Sequence, residues 1–65
     1  AVAALEHAHE LDPGSPSIAY RLALALVETG ERDRAEALFR EALAAGAFPE
    51  ADAARTQLAR LAEAS

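Results

Sequence analysis

Two prolines three positions apart interrupt a chain whose other residues favour helix. They lie in "LDPGSP", residues 11 to 16, and either would cost a helix interior about 3 kcal/mol. A proline just past the last turn cannot continue a helix, whereas a proline at the first helical position does no harm. Pro13 is therefore predicted to end one helix and Pro16 to begin the next. Ser15 is the expected N-cap, and Gly14 gives the backbone freedom to turn.

The composition indicates an all-α chain. Nineteen of the 65 residues are alanine and nine are leucine, and both are strong helix formers. There is no cysteine, so no disulfide can reinforce a chain this short, and stability must come from helix packing or from further protein. Because the first residues already resemble a helix interior, we expect the chain to be a piece of a longer protein.

Hydrophobic periodicity predicts four helical segments. The first runs from about residue 1 to residue 11, and its apolar face is Ala1, Leu5, Ala8 and Leu11. The second runs from Ser15 to Gly30, the expected C-cap. It is apolar on nearly all sides, which predicts that other helices cover more than one of its faces.

The third and fourth segments are amphipathic. Asp33 is the expected N-cap of the third, in a capping box with Glu36, and Gly46 ends it. Its apolar stripe is Ala35, Leu38, Phe39, Ala42 and Leu43. Pro49 is expected to begin the fourth, whose apolar positions are Ala51, Ala54, Leu58, Leu61 and Ala62.

An offset of thirty-four residues aligns corner with corner and brings similar residues together. In the first segment it places Ala1, Leu5 and Ala8 over Ala35, Phe39 and Ala42 of the third. In the second segment it places Ala19, Arg21, Leu24 and Ala25 over Ala53, Arg55, Leu58 and Ala59 of the fourth. Such a helix–turn–helix period resembles the tetratricopeptide repeat. Ala19, Leu22, Ala23 and Leu26 fall on its first-helix positions, Gly30 on its turn glycine, and Ala35, Phe39 and Ala42 on its second-helix positions.

The resemblance implies antiparallel helix hairpins stacked into an α–α superhelix. Residues 1–15 would be the second helix of a preceding unit, residues 16–48 one complete repeat, and residues 49–65 a C-terminal capping helix. The helix that should pair with the first segment is missing, so the N-terminal side is expected to present an uncovered apolar surface.

No catalytic or metal-binding motif emerges from the sequence. His7 and His9 are two apart and point away from each other on a helix, whereas a zinc pair needs positions i and i+4. Glu6, His9 and Glu10 share a face that would hold at most a weak adventitious ion. No nucleophile motif and no phosphate-binding loop is present. We therefore expect no catalysis, no metal and no cofactor.

The resemblance implies that first helices line a concave surface for an extended peptide or a partner helix. On the second segment the outward row is Ser17, Tyr20, Arg21, Leu24, Val27 and Glu28. Tyr20 is of the type enriched at interfaces, and with Arg21 it is the expected anchor. The alternative is that Leu24 and Val27 pack on neighbouring helices and Tyr20 is ordinary cover.

The expected function is therefore protein–protein interaction or scaffolding. Two alternatives stay open: an accessory segment of a larger enzyme or of an envelope or exopolysaccharide-assembly protein, and self-association through the exposed N-terminal helix. The net charge of −5, with no basic stripe, argues against nucleic acid, and no apolar run is long enough for membrane insertion. All six basic residues are arginine, which with the alanine excess suggests a high-GC genome, and the resemblance to repeat scaffolds implies a bacterial protein. Its compartment is left open between cytoplasm and periplasm.

Overall fold

The computed structural model describes residues 2–46 and 48–64, and this part of the chain contains four helices. They are α1 (Val2–Leu11), α2 (Pro16–Thr29), α3 (Arg32–Ala44) and α4 (Ala51–Ala64). Each helix packs against the next along the chain, and the α2–α3 pair is in closest contact. Short connections between packed neighbours make consecutive helices antiparallel. The predicted all-α fold is thereby confirmed.

The first corner forms as its two prolines predict. The amide of Asp12 donates to the Ala8 carbonyl at 3.0 Å, which closes α1, and the amide of Ser15 donates to the Asp12 carbonyl at 3.1 Å. Ser15 is the N-cap of α2, since its Oγ accepts a hydrogen bond from the Ile18 amide at 3.5 Å. Pro16 is the first helical residue, where its lost donor has no consequence.

The second corner corrects the predicted start of α3. Gly30 has φ 89° and ends α2, as expected, and the Glu31 amide donates to the Leu26 carbonyl at 2.9 Å. This tight glycine turn returns the chain to helical geometry at once, so α3 begins at Arg32 with Glu31 in the N-cap position. The prediction of Asp33 as N-cap is therefore wrong, and Asp33 lies in the first turn of the helix.

The core lies between α2 and α3, with α1 and α4 on either side. Its buried members are Ala19, Leu22, Ala23, Leu26, Ala35, Leu38, Phe39, Ala42, Ala54 and Leu61. Phe39 is fully buried, and so are the alanines at 23, 35 and 42. Small side chains at these positions let two helix backbones approach closely, while leucines and Phe39 fill the remaining space. Leu43, also predicted for this stripe, is only partly buried.

The apolar face predicted for α1 is correct in its middle and wrong at its end. Val2 and Leu5 pack against the core, and Ala8 is partly buried. Leu11 is 73% exposed, because no described helix lies against the last turn of α1 on that side. Ala1, also predicted for this face, lies outside the described residues.

The fourth helix begins two residues later than predicted, at Ala51, because Pro49 and Glu50 form a turn ahead of it. Its burial also departs from the thirty-four-residue offset. Ala54 and Leu61 are the buried positions, and they match Ala19 and Leu26 of α2 at an offset of thirty-five. Ala53, Arg55 and Ala59, three of the four α4 residues matched at an offset of thirty-four, are exposed, as is Ala62 of the predicted stripe. The connection before α4 therefore carries one extra residue.

Candidate functional site

The predicted binding residues share one side of α2, on which Tyr20, Leu24 and Val27 are partly buried against the core cluster. We call Ser17, Tyr20, Arg21, Leu24, Val27 and Glu28 the α2 row. The opposite face of α2 supplies Ala19, Leu22, Ala23 and Leu26 to the core. Within the row, Arg21, Leu24 and Glu28 are spaced three and four apart, so they follow one another along a single line. The structure brings the row together on one side of one helix, and its binding role stays a prediction.

Tyr20 is committed to internal contacts. Its ring centre lies 5.9 Å from that of Phe39 and 6.4 Å from that of Phe48, with the ring planes tilted by 57° and 55°. Tilted pairs at such distances each contribute about 0.5–1.5 kcal/mol beyond simple burial. Tyr20 therefore joins the core to the connection before α4. Sequence reasoning missed the role of Phe48, which no periodic pattern marks.

Ser17 is also engaged within the chain. Its Oγ donates to Glu50 Oε1 at 3.1 Å, across thirty-three positions of sequence. This bond holds the turn before α4 against the first turn of α2. It also places a carboxylate at the N-terminal end of the α2 row.

The charged members of the row are free. Arg21 and Glu28 are exposed, and neither forms an ion pair with another residue of the described chain. By contrast, Arg34 pairs with Glu6 and Glu31, and Arg40 pairs at 3.6 Å with Glu36, which precedes it by four residues, the favourable order on a helix. Leu24 and Val27 are partly buried against the core cluster, so their outward atoms leave an apolar strip between the two charges.

Two polar side chains of α1, Glu6 and His9, contact side chains of α3. Arg34 Nη2 donates to Glu6 Oε2 at 2.9 Å, and His9 Nε2 lies 3.7 Å from Glu41 Oε1. The hydrogen bond with Glu6, followed by that with Glu31, raises the pKa of Arg34 above its ordinary value. Glu6 and His9 therefore face α3, whereas Glu10 is exposed. Among the residues that the structure describes, no group of three potential ligands is placed to hold a metal ion.

Comparison with known families decides the identity of this helix arrangement. A family model of the tetratricopeptide repeat matches residues 1–58. The chain belongs to the tetratricopeptide-repeat family. No curated protein and no solved structure matches it.

Membership of the tetratricopeptide-repeat family confirms the predicted fold and gives its function in outline. Membership of this family suggests a role in protein–protein interaction, and domains of this family are generally not catalytic. None of the four described helices combines the length and the apolar character needed to cross a membrane. Within this arrangement, the α2–α3 hairpin is the most closely packed pair of helices.

Proposed function

We propose that this chain is a scaffolding module that binds a peptide or a helix of a protein partner through the α2 row. The observation that carries the proposal is the character of α2 on its outward face. Its core face is completely used, yet the opposite face keeps Leu24 and Val27 between two unpaired charges. A helix face that only met water would favour charged and polar residues throughout.

The contribution of each residue follows from its contacts. Arg21 and Glu28 supply charge and hydrogen bonds, and Leu24 and Val27 supply apolar contact area. Tyr20 has its ring fixed by Phe39 and Phe48, so it would meet a partner only through its free edge. Rigid aromatic groups of this kind lose little entropy on binding, which favours affinity.

The experiment is a selection of short random peptides on the immobilised chain, followed by mapping of one selected peptide by amide chemical shifts. The proposal expects the largest shifts at Arg21, Leu24 and Glu28. It also expects Arg21→Ala to weaken binding, while Arg60→Ala, on the exposed surface of α4, leaves it unchanged. Shifts concentrated on α1 or on the outer side of α4 would show that the α2 row is not the binding surface.

The same proposal includes a division of the chain into units. Residues 1–15 act as the second helix of a preceding unit, residues 16–48 as one complete repeat, and residues 49–65 as a capping helix. The support for a cap is the polar surface of α4, where Asp52, Arg55, Thr56, Arg60 and Glu63 are exposed. The parent protein is then a scaffold, or carries this segment as an accessory to an enzymatic or envelope-assembly domain.

A second candidate function is self-association through α1. It is favoured by Leu11, a large apolar side chain that is 73% exposed, on a face that also exposes Ala3 and Ala4. If two copies pair there, light scattering across a dilution series shows a dimer at high concentration, and Leu11→Glu abolishes it. A monomer at every concentration removes this candidate.

A further inference from the structure

We infer that the segment bound by the α2 row is an extended peptide of mixed charge, with one acidic and one basic side chain about three residues apart and an apolar residue between them. This inference rests on the proposed function and specifies the partner chemistry of the same surface. It comes from the order of the side chains along α2, where Arg21, Leu24 and Glu28 give positive, apolar and negative contacts in line.

The spacing of the two charges sets the spacing in the partner. Seven residues separate Arg21 from Glu28, and at 1.5 Å per residue of helix they stand about 10 Å apart. The two side chains form no ion pair with each other in the described chain, and helix residues that are neighbours stand three or four positions apart. An extended peptide advances about 3.3 Å per residue, so three residues cover the same distance.

Both charges are available to a partner. The arginines at 34, 40 and 55 each hold a carboxylate of this chain, whereas Arg21 forms no ion pair within the described residues. Glu28 is likewise exposed and free of an ion pair there. Leu24 lies between them and is only partly buried, so an apolar side chain placed over it removes further apolar surface from water.

The charges around Arg21 disfavour a peptide whose charged side chains all have the same sign. Glu50 is held at Ser17, one turn before Arg21, and Glu28 lies two turns after it. Arg21 is therefore flanked by a carboxylate on either side. A purely acidic peptide would be repelled at both flanks, and a purely basic one would be repelled at Arg21. Alternating charge matches the whole row.

The test is to select short random peptides on three chains: the natural one, Glu28→Arg and Arg21→Glu. The natural chain should enrich peptides with one acidic and one basic residue about three apart. Glu28→Arg should enrich two acidic residues at that spacing, and Arg21→Glu two basic ones. Because each variant changes the sign of one site only, the result does not depend on the direction in which the peptide lies.

Two matched controls carry the same change of net charge outside the α2 row. They are Glu10→Arg on α1 and Arg60→Glu on α4, both at exposed positions, and they should enrich the same peptides as the natural chain. A peptide selected by the natural chain should bind Glu28→Arg about two- to five-fold more weakly, as expected for one exposed ion pair, and this difference should disappear at high salt.

Two results separate the inference from the proposed function. If selected peptides shift the amides of the α2 row but their charge pattern is the same for all three chains, the inference is overturned and the proposed function stands. If the shifts lie elsewhere, or if no peptide is enriched, the proposed function fails and the inference fails with it. Circular dichroism of each variant serves as the control that the helices remain folded.

Discussion

The close approach of α2 and α3 requires alanine at the contact, and Ala35→Leu tests this requirement. Ala35 is fully buried on α3, whereas Ala37, two positions later, is exposed. Leucine adds three carbons where the core has no room for them, and such overpacking typically costs about 1–3 kcal/mol. Because a core of this size rarely supplies more than roughly 3–5 kcal/mol, Ala35→Leu should remove a large fraction of the stability.

The assay is thermal unfolding followed by circular dichroism, with Ala37→Leu as the matched control. One kcal/mol shifts the Tm of a domain this small by about 4–8 °C, so Ala35→Leu should lower it by about 5–20 °C. Ala37→Leu makes the same chemical change on the same helix, and helix propensity alone gives it a cost of only a few tenths of a kcal/mol. Equal Tm values for the two variants would refute close packing at Ala35, because the buried site would then have room for a leucine.

The remaining predictions concern the corners and Tyr20. Ser15→Ala should destabilise the chain by about 0.5–1 kcal/mol in urea unfolding, because it removes the side-chain acceptor for the Ile18 amide; no change would mean that Ser15 does not cap α2. Gly30→Ala should cost about 1–2 kcal/mol because Gly30 has φ 89°, while Gly14→Ala, with open space around it and no positive φ, should cost much less; similar losses would contradict the glycine turn at Gly30. Tyr20→Ala should lower the free energy of unfolding by about 1–3 kcal/mol, because it removes two ring contacts. Tyr20→Phe should keep the Tm within a few degrees. A large loss of stability in Tyr20→Phe would mean that the hydroxyl group, and not the ring, stabilises the fold.

Local rules were sufficient for both ends of α2 and for the first corner. A serine followed by a proline fixes where α2 begins, and a glycine able to adopt positive φ fixes where it ends, so the sequence alone predicts both boundaries. The core residues of α3 are also predicted by periodicity, whereas those of α2, a helix that is apolar on nearly all sides, are indicated by the resemblance to the tetratricopeptide repeat.

The errors arose where burial depends on what lies opposite a residue. Leu11 continues the apolar spacing of α1, yet no described helix covers its turn, and it is exposed. Asp33 has a good N-cap chemistry, but the glycine turn at Gly30 starts the helix before it. Periodicity identifies the apolar face of a helix but not which other element covers that face. The exposure of Leu11 and the start of α3 could therefore be seen only in the three-dimensional structure. For the α2 row, the sequence predicted the shared face but not the internal contacts of Ser17 and Tyr20.

The extra residue before α4 links the departure from the repeat to the character of the α2 row. An offset of thirty-five lets the connection reach back to α2, where Phe48 contacts Tyr20 and Glu50 accepts the hydrogen bond of Ser17. These two contacts occupy the N-terminal part of the row with groups of the chain itself. In the proposed function, the portion of the row that is left for a partner begins at Arg21 and ends at Glu28. Because Glu50 adds a carboxylate at one boundary of the row, the turn that it holds against α2 also contributes to the alternation of charge along this surface.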